Sequence, residues 1–185
     1  MNSVLNLSQD KKLEFAFGKV IEGKEQQVFA EYFPLVGSVM AEYGLQQLAT
    51  FVVLASNLEG VKPTQGSLSQ WPEVTGYENL LADERFARHL PIRNEAMDLL
   101  SDGHIFDMTD LDIKIDTDKE YGFIVSSEPP SHIDCLVELN LAETSSNQAY
   151  ANKSLALVQW NSDAEKLLVN NQKDLIILKV KFNPQ

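Results

Sequence analysis

Cysteine is nearly absent from this sequence, and so is any long apolar run. The single cysteine, Cys135, excludes a disulfide within the chain, so we expect a reducing, cytoplasmic location. No segment approaches the roughly 18 consecutive apolar residues that a membrane span needs. The first residues, "MNSVLNLSQDKK", contain no basic segment followed by an apolar one, so we expect no signal peptide.

Basic residues are also scarce. Fifteen Lys and Arg stand against 27 Asp and Glu, which gives a net charge of −12. Such a surface repels phosphate groups, and no local basic stripe overcomes the repulsion. Nucleic acid and anionic membranes are therefore not expected partners.

Histidine is also scarce, because the chain has only His89, His104 and His132. Their spacings match no zinc or iron ligand pattern, so we expect no metal. The chain has no phosphate loop, dinucleotide fingerprint or G-x-S-x-G motif, and we expect no cofactor. Because no positive charge lies near Cys135 in the sequence, the pair His132 and Cys135 predicts a buried, inert thiol rather than a nucleophile.

The first two thirds of the chain contain a regular order of strands and helices. Residues 12–21 alternate Leu13, Phe15 and Phe17 with Glu14, which is typical of a strand with one buried face. Residues 24–44 repeat apolar positions at three- and four-residue steps, as a helix does, and Pro34 predicts a kink. The remaining predicted elements are strands at 45–55 and 67–71, a helix at about 73–101 that Pro91 is expected to bend or divide, and a strand at 103–116. This order, β-α-β-β-α-β, is the ferredoxin-like unit.

The last third predicts a shorter second set of elements. They are strands at 120–128, 154–160 and 174–183 and a helix at 162–172. Residues 133–141 fit a strand or a helix, and polar residues 144–154 predict a mobile loop. Both "LSQW" (68–71) and "LVQW" (157–160) lead into an acidic helix that contains Leu-Leu, so the second set is either a shortened copy of the first or matches it by chance.

These patterns predict an α+β protein with a ferredoxin-like unit at 1–116 and a degenerate second half or C-terminal extension at 117–185. The two parts together would resemble one α/β barrel. The open sheet of a single unit leaves an apolar face uncovered, so we expect a homodimer. If the second half covers that face within the chain, a compact monomer results instead.

Two groups of residues are candidates for a site. His89 and Arg93 share a helix face if Pro91 leaves the turn intact, which would give a proton-transfer group beside an anion anchor. The alternative is that Arg93 pairs with Asp98, with Glu95 or with a neighbouring helix, and that His89 lies in solvent. Trp71, Tyr77 and Tyr43 could line a substrate pocket, although a tryptophan that ends a strand more often packs in a core.

Residues 12–116 resemble the dimeric α/β-barrel superfamily, in particular its small branch of unknown function. That branch has a strand ending in an aromatic residue and proline, followed by a helix with tyrosine, acidic, aromatic, arginine and alanine positions. The matching residues here are Trp71-Pro72, Tyr77, Asp83-Glu84, Phe86, Arg93 and Ala96. The departures are His89-Leu90-Pro91 and everything after residue 117.

The resemblance covers residues 12–116 and implies a small-molecule-binding barrel. The superfamily includes cofactor-free monooxygenases, isomerases, haem enzymes and proteins of no known activity, so the fold does not select the chemistry. Two hypotheses about the function therefore remain. The chain is a small-molecule-binding protein, extending to a cofactor-free monooxygenase- or isomerase-like enzyme, or it is a non-catalytic oligomerising or interaction module.

Overall fold

The computed structural model describes residues 2–101, 103–127, 133–143, 154–170 and 175–184. The described part forms an α+β protein, as the sequence predicts. Its strands are β1 Asn2–Leu7, β2 Lys12–Val20, β3 Gln46–Ser56, β4 Gln65–Trp71, β5 Met97–Leu100, β6 His104–Asp107, β7 Leu111–Asp116, β8 Tyr121–Ser126, β9 Cys135–Asn140, β10 Ser154–Gln159 and β11 Ile176–Phe182. Its α-helices are α1 Phe33–Glu42, α2 Val74–Ala82, α3 Glu84–Ala87, α4 Leu90–Asn94 and α5 Ser162–Asn170, and a π-helical segment at Gln27–Tyr32 precedes α1.

The π-helical segment ends where Pro34 enters the first turn of α1. Proline lacks the N–H that an α-helix needs at an interior position, and it is tolerated in a first turn because that donor is unpaired there in any case. The predicted kink at Pro34 is thus a change of helix type.

The main sheet has nine strands, all paired antiparallel, in the order β5-β2-β4-β3-β11-β8-β10-β9, with β6 also paired to β2. In the first half, β6-β2-β4-β3 is the strand order of a ferredoxin-like unit, and β11-β8-β10-β9 repeats this order in the second half. The halves join where β3 pairs with β11 and where Phe106 bridges Leu141. The sheet therefore closes on itself within one chain.

The closed sheet encloses an aromatic core. Phe15 and Phe51 come from the first half and Phe123 and Phe182 from the second, and the Phe15 and Phe123 ring centroids are 4.8 Å apart. The two-stranded sheet of β1 and β7 adds the apolar side chains of Leu5, Leu7, Ile113 and Ile115 to this core. Helices α1 to α4 cover the outer face of the first half, and α5 covers that of the second.

Two local predictions were wrong, and one strand was not predicted. The helix expected at 73–101, with Pro91 bending or dividing it, is three short helices followed by β5, and Pro91 lies in the first turn of the third helix. The strand expected at 103–116 is two strands, β6 and β7, and β7 leaves the main sheet to pair with β1, the strand that the sequence pattern did not predict. Residues 133–141 form a strand at Cys135–Asn140, and the expected loop at 144–153 lies outside the described residues.

Candidate functional site

Trp71 and Tyr77 lie together at the junction of β4 and α2. Trp71 is the last residue of β4, Pro72 follows, and α2 begins at Val74. The two rings meet edge to face with centroids 5.6 Å apart, and Trp71 is 1% exposed. They belong to an apolar cluster between sheet and helices, hereafter the helix layer, which also contains Tyr32, Val36, Val39, Leu80, Phe86, Ile105 and Ala142.

Glu14 also belongs to the candidate site, although no sequence motif singles it out. The period of β2 places it opposite Leu13, Phe15 and Phe17, on the face that an isolated strand would turn to water. In the structure this face is covered by the helix layer, and the Trp71 indole Nε1 donates a hydrogen bond to Glu14 Oε2 at 2.8 Å. The only sequence signal is a carboxylate on an otherwise apolar strand.

The surroundings of Glu14 favour its neutral form. Burial raises the pKa of the Glu14 carboxyl above its ordinary value, while the Trp71 hydrogen bond and the positive charge of Arg93 partly offset that rise. No ion pair joins Arg93 to Glu14 among the described residues, so the cation acts from a distance. A carboxyl in this environment can exchange a proton closer to neutral pH than an exposed glutamate does.

Arg93 lies where the helix layer meets solvent. Its guanidinium donates to Asn94 Oδ1 at 3.0 and 3.1 Å and lies 5.8 Å from the centre of the Tyr32 ring. The Tyr32 hydroxyl is buried and makes no hydrogen bond of ordinary geometry, although Arg93 is near enough to oppose the rise in its pKa that burial causes. Of the predicted structural partners of Arg93, the carboxylates Asp98 and Glu95 form no ion pair with it among the described residues, and Asp98 pairs with Lys19 instead. The contact with Tyr32 is the one to a neighbouring helical segment.

His89 and Tyr43 are placed differently from Trp71 and Tyr77. His89 precedes α4, so it lies outside the single helical turn that carries Arg93. Its side chain is half-buried. Tyr43 packs at the edge of the helix layer, but its hydroxyl donates to Asp83 Oδ2 at 2.9 Å. Asp83 is also held by Arg85, whose hydrogen bonds keep the pKa of that carboxyl well below its usual range. Tyr43 is therefore engaged in anchoring α3.

Trp71 is buried within the helix layer and packs against the other side chains of the cluster. A cavity of about 380 Å³ lies elsewhere, between β1, β3 and the end of the chain. Its lining residues are Val4, Asn6, Gln47, Leu48, Ala49, Thr50, Asn183 and Pro184. None of the residues predicted for the site lines this cavity.

The exposure of Cys135 differs from the prediction. The sequence predicts a buried thiol, but the side chain is exposed at the start of β9. Desolvation and the nearby Glu138 and Asp134 raise the pKa of the thiol, so it remains a poor nucleophile at neutral pH. His132, its proposed partner, lies outside the described residues.

Comparisons with known proteins identify a fold. No protein-family model and no curated protein matches the chain. A solved structure described as an anthrone oxidase-like protein matches with a TM-score of 0.55 and 13% identity, covering 98% of this chain and 95% of that chain. The likeness shows the fold alone. It extends over both halves, so the second half of the chain belongs to the shared architecture. No described helix is both long and apolar enough to cross a membrane.

Proposed function

We propose that the chain belongs to the α/β-barrel superfamily and binds a small, planar aromatic ketone or phenol in the helix layer of its first half. The observation that carries the proposal is the Glu14–Trp71 hydrogen bond within an apolar cluster, next to Arg93 and the Tyr32 hydroxyl. Small-molecule sites combine an apolar, aromatic lining with a few convergent polar groups. Buried polar groups are rarely left unsatisfied without a functional reason.

The ligand class follows from the lining and from the name of the structural neighbour. Trp71 and Tyr77 offer flat aromatic surface, and Arg93 offers a cation for a developing oxyanion. Anthrone, which the neighbour's name contains, is a planar tricyclic ketone of suitable chemistry and is the first ligand to test. On this proposal the protein is a cofactor-free monooxygenase- or isomerase-like enzyme of the cytoplasm.

Because Trp71 is buried and packed against the cluster, ligand entry on this proposal requires helices to move. Helices α3 and α4 have four and five residues, so each has few internal hydrogen bonds to hold it. They carry Phe86 and Arg93, and their displacement would open the layer beside Trp71. Local openings of this kind need less free energy than global unfolding.

Fluorescence of Trp71 tests the proposal. The chain has two tryptophans, so Trp160→Phe leaves Trp71 as the single reporter. Titration with anthrone is expected to change that signal saturably, whereas a Trp71→Phe protein that retains Trp160 should show no saturable change. A response of Trp160 alone, or of neither residue, would contradict binding in the helix layer.

Arg93→Ala provides the second measurement. If Arg93 contacts an anionic oxygen of the ligand, the substitution should weaken binding by about 1.5–3 kcal/mol, which is the scale of a hydrogen bond to a charged group. The melting temperature should change little, because the described hydrogen bonds of Arg93 go to its neighbour Asn94. Arg93→Lys is the matched control, since it keeps the charge and loses the planar geometry.

An interaction module is the second candidate, and exposed aromatic residues favour it. Phe29 and Phe33 stack at 6.0 Å on the helical surface and are 51% and 43% exposed. The homodimer predicted from an open sheet face would need a surface of this kind, because each half sheet now covers the other within the chain. Sedimentation decides between a 20.7 kDa species and one of twice that mass, and Phe29→Ser should abolish a dimer built on this surface.

A further inference from the structure

Strand β1 leaves one of its two edges unpaired. It pairs with β7 along its whole length, from Asn2 to Leu7, and the two strands form a sheet of their own. In an antiparallel pair, the backbone N–H and C=O groups of alternate residues point away from the partner strand. Among the described residues, no backbone group outside β7 bonds to β1. A row of donors and acceptors at this edge is therefore available for a further strand.

Two other strands with an open edge carry features that prevent such pairing. β5 ends the main sheet, has only four residues including Asp98, and pairs with β2 through a register shift. β7 has a charged residue at every second position, namely Asp112, Lys114 and Asp116. Short length, charge and bulges are the usual means by which proteins protect edge strands. β1 has six residues, no charged side chain, no proline and no register shift against β7, so its edge is unprotected.

Space for an added segment lies beside β1. The cavity of about 380 Å³ is lined by Val4 and Asn6 from β1 and by Gln47 and Thr50 from β3, and none of its lining residues is charged. Its volume is at the small end of the range of about 300–1,000 Å³ that ligand sites have, so it suits a short stretch of chain. Amide and hydroxyl side chains both donate and accept hydrogen bonds, as the backbone of an extended peptide does.

The charges next to β1 favour a basic segment. Asp112 lies opposite Asn6 and accepts a hydrogen bond from its amide at 2.7 Å, and Asp116 lies opposite Asn2. Lys114 stands between the two carboxylates, which leaves this face of β7 negative, and the chain as a whole carries −12. A strand added to β1 would lie two strand spacings, or about 10 Å, from β7, which is about one Debye length at 0.1 M salt. Basic side chains on that strand are attracted, and acidic ones are repelled.

We propose that β1 is a docking edge for an extended, basic segment of another protein, which adds as a third strand to the β1–β7 sheet. Residues directly opposite each other on neighbouring strands share a face. A segment with the pattern basic-x-apolar-x-basic places its apolar side chain beside Val4, which is 43% exposed, and its basic side chains toward Asp112 and Asp116. Backbone hydrogen bonds supply the affinity, and the side-chain pattern supplies the selectivity.

Short labelled peptides with capped ends test strand addition to the full chain. The probe is Ala-Lys-Ala-Val-Ala-Lys-Ala, and its binding is followed by fluorescence anisotropy. One control peptide replaces both lysines with glutamate, and the other is the lysine peptide with its backbone amides methylated. The probe is expected to bind at least about tenfold more tightly than either control, because the first reverses the charge and the second removes the backbone donors. Its affinity should also fall as salt is added.

Hydrogen–deuterium exchange measured by mass spectrometry locates the bound peptide. The probe is expected to slow exchange in the segment that contains β1 and to leave exchange in α5 unchanged.

Variants of the protein test the docking edge itself. Val4→Lys should weaken binding at least about tenfold, because it places a like charge beside the basic peptide. Val169→Lys, at a residue 73% exposed on α5, is the matched control and should bind the probe as the wild type does. Asp112→Asn keeps the shape of the side chain and serves where Val4→Lys fails to fold; it should weaken binding and reduce its dependence on salt.

Several results would overturn the proposal. These are a wild-type protein that does not bind the probe, equal binding of the methylated peptide, and binding without slower exchange in β1. If exchange in β1 slows as the protein concentration rises with no peptide present, a second copy of this chain occupies the edge, and the basic partner is overturned as well.

Discussion

The aromatic core joins the two halves of the chain, so removing one of its rings should destabilise both. Phe123 in β8 is 1% exposed, and its ring centroid lies 4.8 Å from that of Phe15 and 4.9 Å from that of Phe51. Both neighbours belong to the first half. A Phe→Ala substitution in a packed core costs about 3–5 kcal/mol from lost burial and the cavity left behind.

For a chain of 185 residues, each kcal/mol lowers the melting temperature by about 2–4 °C, so Phe123→Ala should lower it by about 6–20 °C. Each half contains one tryptophan, and single-tryptophan proteins report the unfolding of each half separately. Urea denaturation followed through Trp71 alone and through Trp160 alone should give midpoints that shift together. Val169→Ala, at a residue 73% exposed, is the control and should change stability by less than about 0.5 kcal/mol.

The result that refutes this reasoning is specific. If Phe123→Ala moves only the Trp160 transition and leaves the Trp71 transition unchanged, the halves unfold independently and do not share one core. The double variant Phe15→Ala/Phe123→Ala adds a quantitative check. Its loss of stability should differ from the sum of the single losses by about 0.5–1.5 kcal/mol, the scale of one aromatic contact.

Three further predictions concern local features. Desolvation raises the folded pKa of Glu14 above its ordinary value of 4.5, so the wild-type free energy of unfolding should fall as pH rises from that value through the folded pKa. Glu14→Gln should remove this fall in urea denaturation measured over a pH series. Wild-type and Glu14→Gln stabilities that change in parallel with pH would contradict the prediction. The exposed Cys135 should react with a thiol reagent without denaturant, at a rate that rises above pH 9. Glu138→Gln should increase this rate, because it removes a negative charge near the thiol. An unreactive thiol would show that Cys135 is covered. Gly66→Ala should cost about 1–3 kcal/mol in thermal melts, because the new Cβ would lie 2.6 Å from the Ala16 carbonyl oxygen, whereas Gly37→Ala meets nothing within 4 Å and should be neutral or stabilising.

Much of the secondary structure could be predicted from local pattern. The alternation in β2 and the periodicity of α1 are set by residues close in sequence, and such spacing identifies which side chains share a face. The junction at Trp71 was also predictable, since a strand-ending aromatic residue followed by proline breaks one period and begins another. Periodicity failed at 73–101 because short helices and a strand carry too few residues to set a clear period.

The environment of individual side chains could not be predicted in the same way. A period of two shows that Glu14 lies opposite Phe15, but it does not show whether a second layer covers that face. The apolar residues around Cys135 predict burial, yet β9 presents this residue outward. In both cases the outcome depends on elements distant in sequence.

By itself, then, the sequence determined the α+β class, the approximate positions of most strands of the main sheet and the aromatic side chains available for a core. Only the tertiary structure decided that two half sheets close on each other, because the pairing of β3 with β11 joins strands more than a hundred residues apart. That closure covers the apolar faces that would otherwise need a partner. The packing of helices over the outer face of the first half leaves Glu14 half-buried beside Trp71, and this desolvation raises the pKa of its carboxyl above the ordinary value.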